Sequence, residues 1–236
     1  MNKIILGLMG LVISLGASEI YATFDVAAQK SASLAFDAGG IVKEVNFDIA
    51  SSVKKGDILA VLVNDDKKAN VESAKTALKY AAKDYERQEK VKHLIDESKF
   101  DIFAFKYENA KNALTYQEAN YNKTFLKAPF DGVIYFKDIE LGDTVSGVSL
   151  KTVYKIQSKS ARKLIVEFDQ KYYNKVKVGD IFRYKIDGDS GEQSGVISKI
   201  YPSANIHNRK IQAEVKAKDL LVGLFGDGYI ILPDTK

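Results

Sequence analysis

The phrase Gly188-Asp189-Ser190-Gly191 has the residue types of a serine-protease nucleophile turn. A serine in that role needs a histidine base within hydrogen-bond reach and an acid to orient it. The chain has two histidines, His93 and His207, and His93 falls inside a strongly helical stretch. A turn between strand-like runs near Ile186 and Val196 accounts for the phrase without chemistry. Asp187 and Asp189 resemble the start of a calcium loop, but Gly191 stands where the next ligand belongs and the closing Glu is absent. His207 beside Arg209 brings two basic groups together without an acid, which reads as a solvated loop. No phosphate loop, His-pair zinc motif or dinucleotide fingerprint occurs. The chain has no cysteine, and both methionines, Met1 and Met9, lie near its start. Thiolate and thioether ligands are therefore excluded from the rest of the chain. These residue types predict a non-enzyme with no cofactor and no metal site.

With chemistry set aside, the elements carry the reading. The 236 residues are 46% hydrophobic and 28% charged, ordinary values for a globular protein. A net charge of +4, with bases and acids interleaved, reads as solubility rather than nucleic-acid binding. Met1-Asn2-Lys3, the apolar run Ile4–Leu15 and the small residues Gly16, Ala17, Ser18 and Ala22 have the order of a secretory signal. The run is shorter than the ~20 apolar residues of a spanning helix. A cleavable signal over 1–22 is expected, with Ala17 and Ser18 as alternative cleavage sites.

Residues 36–64 alternate around Gly39-Gly40 and Lys55-Gly56-Asp57, as short strands do. Residues 65–125 are wholly different. From 66 on they hold no Pro or Gly, and Val71, Leu78 and Tyr85, then Phe100, Tyr107, Leu114 and Tyr121, recur every seven residues. Ala74, Ala81, Phe103 and Ala110 fill the intermediate positions. This predicts a coiled-coil hairpin of two helices, each roughly 28 residues and about 40 Å long. The break is expected near Leu94–Ser98, with Ser98 capping the second helix. Strand patterning resumes at 126–157 and continues through 158–236. Gly40-Ile41-Val42 followed by Val53-Lys54-Lys55-Gly56-Asp57-Ile58-Leu59 is echoed by Gly132-Val133-Ile134 followed by Ile139-Glu140-Leu141-Gly142-Asp143-Thr144-Val145. Neither half can bury its own apolar face, so the two should pack as one domain that the helices interrupt.

These half-motifs resemble the lipoyl/biotinyl domain. Lys127-Ala128-Pro129-Phe130-Asp131-Gly132-Val133-Ile134 is similar to the signature of the periplasmic adaptor, or membrane fusion, proteins of the HlyD-like type. Val166-Glu167-Phe168-Asp169, Val178-Gly179-Asp180 and Asn208-Arg209-Lys210 resemble that family's barrel segments, although Asn208 and Lys210 stand where threonines are usual. The resemblance implies a mainly β fold. A split lipoyl-like (barrel-sandwich hybrid) domain spans 36–64 and 126–157, with the α-helical hairpin inserted at 65–125. A small β-barrel domain is drawn from 23–35 and 158–236. The family's membrane-proximal domain is expected to be missing or rudimentary.

The resemblance also implies a role in the periplasm. It is that of an adaptor in a tripartite efflux pump, joining an inner-membrane transporter, of RND type by preference, to a TolC-type outer-membrane channel. Assembly into a homo-oligomeric ring is implied as well. An adaptor of an ABC-type exporter or type I secretion system is the alternative. The family's docking pattern at the hairpin tip carries over to Arg87, Val91 and Ser98, with Val91 replacing the usual Leu. Asp66-Lys67 sits near the place of a lipoyl acceptor, but a carrier presents its lysine on a tight turn and these residues begin a helix. Lys75, Lys79, Lys83 and Arg87 stand four apart, either as a solvated face or facing Glu97, Asp101 and Glu108 of a neighbouring hairpin.

Overall fold

The structure, a computed structural model, describes residues 18–233. The apolar run expected to direct export lies outside them. In chain order the strands are β1 (Glu19–Ala28), β2 (Ser31–Leu34), β3 (Gly40–Val45), β4 (Ser52–Val53) and β5 (Ile58–Leu62). The helices α1 (Asp65–Lys90) and α2 (Glu97–Asn122) follow. Then come β6 (Phe125–Lys127), β7 (Gly132–Lys137), β8 (Thr144–Val145), β9 (Tyr154–Gln157), β10 (Ala161–Asp169), β11 (Ile181–Ile186), β12 (Glu192–Ala204), β13 (Lys210–Lys218) and β14 (Phe225–Ile231). The chain forms two units, one from residues up to Gln29 together with those from Ser160 on, the other from Lys30–Lys159.

The first unit is a closed barrel in the order β1-β10-β13-β12-β11-β14, with β14 pairing back to β1. Its strands alternate because each shows one face to the core and one to solvent. In β1 the inward set is Ile20, Ala22, Phe24 and Val26, all buried. They meet Leu164, Val166, Phe168, Phe182, Ile197 and Ile230. The strand begins before the boundary expected at residue 22. Cleavage after Ala22 would remove Glu19–Ala22, which pair with β14, and would strip Ile20 from the core. The alternative sites after Ala17 and Ser18 leave β1 whole.

The second unit holds two four-stranded sheets, β2-β9-β7-β4 and β6-β5-β3-β8. The halves of the repeat exchange strands: β4 of the first half pairs with β7 of the second, and β8 of the second with β3 of the first. Leu59, Leu62, Ile134, Tyr154 and Ile156 are fully buried between them. The repeat is exact in its turns. Gly56 and Gly142 take φ of 92° and 89°, a region open to glycine at little cost. The next residues, Asp57 and Asp143, accept the backbone N–H of Lys54 and Glu140, each at 2.8 Å. The barrel uses the same turn again at Lys177–Asp180. Ser31–Leu34, expected in the barrel, instead pairs with β9 of this unit.

The helices leave from β5 and return to β6, and these two strands pair with each other. Asn64 and Thr124 mark the root. Both are buried, and the Asn64 amide donates to the Thr124 hydroxyl at 2.9 Å. That hydroxyl donates to the Tyr121 carbonyl at 2.6 Å. Asn64 therefore precedes α1 without capping it through its side chain. Each helix has 26 residues, so the arms run about 39 Å. Positions 71, 74, 78, 81 and 85 of α1 and 100, 103, 107, 110, 114 and 121 of α2 are all buried or half-buried. The spacing that marked these positions in the sequence is thus the seam between the helices.

Candidate functional site

The bend at the far end of the hairpin is built from an aromatic knot. Phe100 is 7% exposed, and its ring lies 5.4 Å from Tyr85, which stacks on Tyr107 at 5.3 Å. The Lys92 ammonium sits 4.6 Å above the Phe100 ring. This knot closes the seam, and the chain turns around it through a 3-10 turn at Lys92–Leu94.

Arg87 lies in the last turn of α1, where a cation is favoured by the helix dipole, and its guanidinium pairs with Asp84. Four residues on, Val91 terminates α1, and its N–H donates to the Gln88 carbonyl at 3.1 Å. Its side chain is exposed. Ser98 is not the cap of α2. Asp96 takes that place in an extended conformation and accepts the Ser98 N–H at 2.8 Å. The Ser98 hydroxyl also donates to the Asp96 carboxylate, which these bonds hold below its ordinary pKa. Asp and Ser cap equally well. Asp96 wins because it places the first turn one residue before Ser98.

Arg87 and Val91 thus follow one face of α1 across a single turn, while Ser98 opens the returning helix. No hydrogen bond joins Ser98 to either among the described residues. Leu94, inside the expected break, is 73% exposed at the apex. Its exposure, rather than its residue type, marks it as a candidate contact.

The other candidates separate. Ser190 is exposed on the loop between β11 and β12, where the Asp189 carboxylate accepts the Gly191 N–H at 3.1 Å. His207 lies beyond the other end of the 13-residue β12, and His93 is in the hairpin. Neither histidine shares a loop with this serine. Lys67 sits on the first turn of α1 and pairs with Asp66 at 3.0 Å, unlike a lysine presented on a hairpin turn. Within the cationic row, Lys75 pairs with Glu72 at 3.0 Å and Arg87 with Asp84, acids of the same helix. Among the described residues no cluster of side chains is suited to hold a metal ion, and no helix is long and apolar enough to cross a membrane.

Residues 30–157, more than half of the chain, match the family described as CzcB-like, barrel-sandwich hybrid domain. The cobalt-zinc-cadmium resistance protein CzcB of Cupriavidus metallidurans is 28% identical over 139 residues. That match takes in 50% of this chain and 26% of the relative, so the chain spans about a quarter of the length of the relative it matches. Among solved structures, a MacA-MexA chimera carrying the Pseudomonas aeruginosa MexA α-hairpin domain has a TM-score of 0.83 at 19% identity, over 93% of this chain and 84% of its own. MacA from Actinobacillus actinomycetemcomitans has a TM-score of 0.75 at 18% identity, over 93% and 80%. These two likenesses show the fold. A split barrel-sandwich hybrid, a hairpin rooted between its halves and a family match across that whole unit lead to one conclusion: the chain belongs to the CzcB-like family of membrane fusion proteins, the periplasmic adaptors of efflux systems.

Proposed function

We propose that the chain is the adaptor of a tripartite efflux pump, bridging an inner-membrane transporter of RND type and a TolC-type outer-membrane channel. The observation that carries this reading is the bend. A long two-helix arm, closed at its far end by the Phe100 ring against Tyr85, presents Arg87, Val91 and Leu94 to solvent. Exposed apolar residues also occur along the arms at Tyr80, Ile102, Phe105 and Tyr116; at the apex they stand next to a cation where the chain reverses, which suits an end-on contact. Arg87 suits the carbonyls and carboxylates of a partner, Val91 and Leu94 supply apolar contact, and Ser98 opens the returning helix. The role is adhesive and mechanical, with no bond made or broken. Several copies form a ring, and export to the periplasm precedes assembly.

A photo-crosslinker placed at position 91 or 98 in cells tests the docking. Capture of an outer-membrane channel supports it, and capture of another protein class sinks it. For cargo, the relative named for cobalt, zinc and cadmium resistance favours divalent metal cations. Deletion of the gene should then sensitise cells to those cations; unchanged tolerance counts against this cargo and leaves the docking reading untouched.

A further inference from the structure

The barrel has two unlike ends. One carries the connections to the other unit, after Ala28 and before Ala161. The other gathers the start of β1 at Glu19, the end of β14 at Ile231, and the loops at 170–180 and 205–209. These loops are joined, since the Gln170 N–H donates to the Arg209 carbonyl at 3.0 Å.

The longer loop is held firmly. Val176 is 3% exposed in the barrel core, with Tyr172 packed against it. The Lys177 N–H donates to the Asp180 carboxylate at 2.8 Å, and the Gly179 N–H to the Ile197 carbonyl at 2.9 Å. With Val176 pinned inward, Tyr173 and Val178 are held outward, 71% and 62% exposed. On the second loop Ile206 is 85% exposed. Lys175 and Lys177 on the first loop and Arg209 on the second are exposed as well. Among the described residues none of these three cations makes an ion pair. The nearby acids are engaged elsewhere. Asp180 is buried on backbone N–H, Asp169 holds Lys171 at 3.7 Å, and Glu167 holds Lys210 at 3.6 Å.

We propose that this end of the barrel rests on the surface of an anionic phospholipid bilayer. Tyr173, Val178 and Ile206 dip beneath the headgroups, while Lys175, Lys177 and Arg209 meet the phosphates. The pairing of charge with apolarity selects a lipid surface over a protein partner. Apolar loop residues interspersed with cations that make no ion pair complement a surface that is negative outside and apolar beneath. This contact is independent of what the hairpin docks on.

The chain contains no tryptophan, so a single one is a clean reporter. The test uses full-length protein carrying Val178→Trp or Ile206→Trp, with Val148→Trp, at an exposed position of the other unit, as control. Each is mixed with brominated-chain phosphatidylcholine vesicles, with and without phosphatidylglycerol. Bromine should quench positions 178 and 206, and not 148, only when phosphatidylglycerol is present. The double change Lys175→Glu/Lys177→Glu should weaken partitioning by about tenfold or more, from roughly fivefold per lysine near an anionic surface. A chain tethered only by its N-terminal run would bind vesicles without quenching at 178 and 206. That result, or quenching indifferent to phosphatidylglycerol and to the charge reversal, overturns the proposal and leaves this end facing protein.

Discussion

Replacing Phe100 by alanine should open the hairpin at its tip while leaving the β units intact. Burying a phenylalanine in a full core is worth about 3–5 kcal/mol against alanine. Phe100 is enclosed by two helices rather than a core, which puts the loss near the lower figure, ~3 kcal/mol. The Tyr85 ring contributes about 1 kcal/mol of that, and the Lys92 ammonium over the Phe100 face up to about 1 kcal/mol more. Phe100 is the one buried residue of α2, and its counterpart in α1, Val71, lies near the root. The residues between Tyr85 and Tyr107 therefore share a local stability set largely by this ring. A loss of ~3 kcal/mol raises their opening equilibrium roughly 150-fold. Amide hydrogen exchange read by mass spectrometry measures it. Peptides within 86–106 should exchange faster by about that factor, or become unprotected, while β9 and the barrel strands keep their rates. Phe100→Leu should restore most of the protection. Unchanged exchange at the bend, or equal acceleration in β9, would refute the reasoning.

Asp96 holds the start of α2 as a carboxylate, and its pKa is lowered by the hydroxyl and N–H of Ser98. Its contribution is therefore complete above the ordinary carboxylate range and is lost as pH falls through the lowered folded value. Asp96→Asn keeps a capping oxygen without titrating, so its helical circular dichroism should show a smaller acid loss than that of the native chain. Thr124→Val leaves the buried Asn64 amide without an acceptor and should cost roughly 1–3 kcal/mol in urea unfolding; the double change with Asn64→Leu should cost less than the single one. A Cβ at Gly228 would stand 2.1 Å from the Arg183 carbonyl oxygen and 2.7 Å from the Tyr184 Cα. Gly228→Ala should therefore force β11 and β14 apart, costing roughly 1–3 kcal/mol or more, seen as a lowered melting temperature of the barrel.

The parts of this fold that were legible in the sequence are those whose pattern is local. Seven-residue recurrence placed Val71, Leu78, Phe100 and Tyr107 on the seam because helix geometry alone decides that face. The paired Gly-Asp turns announced the two halves for the same reason. What escaped was decided by distant partners. Ser31–Leu34 is short and small-sided, and only β9 gives it a place. Glu19–Ala22 carries the alternation of β1 through Ile20 and Ala22, yet its small residues also fit a cleavage site. The contact with β14, far along the chain, settles its place. At the bend, Asp96 and Ser98 are equally good caps by type, so composition left the choice open. Leu94 was hidden because exposure, not identity, makes it notable.

The root of the hairpin also bears on how the second unit assembles. The two halves of the sandwich are separated by the whole helical insertion, and their exchanged strands form only when both are present. A flexible tether of that length would add closure entropy before any interlocking contact was made. Helices form from neighbouring residues within about a microsecond, far sooner than distant strands find each other. Once the arms zip along their seam, Leu62 and Thr124 are brought side by side, and their backbones bond at 2.9 Å. The insertion thereby turns a long-range search into a nearly local one, and the arm that reaches outward in the finished protein first serves to bring its own two halves together.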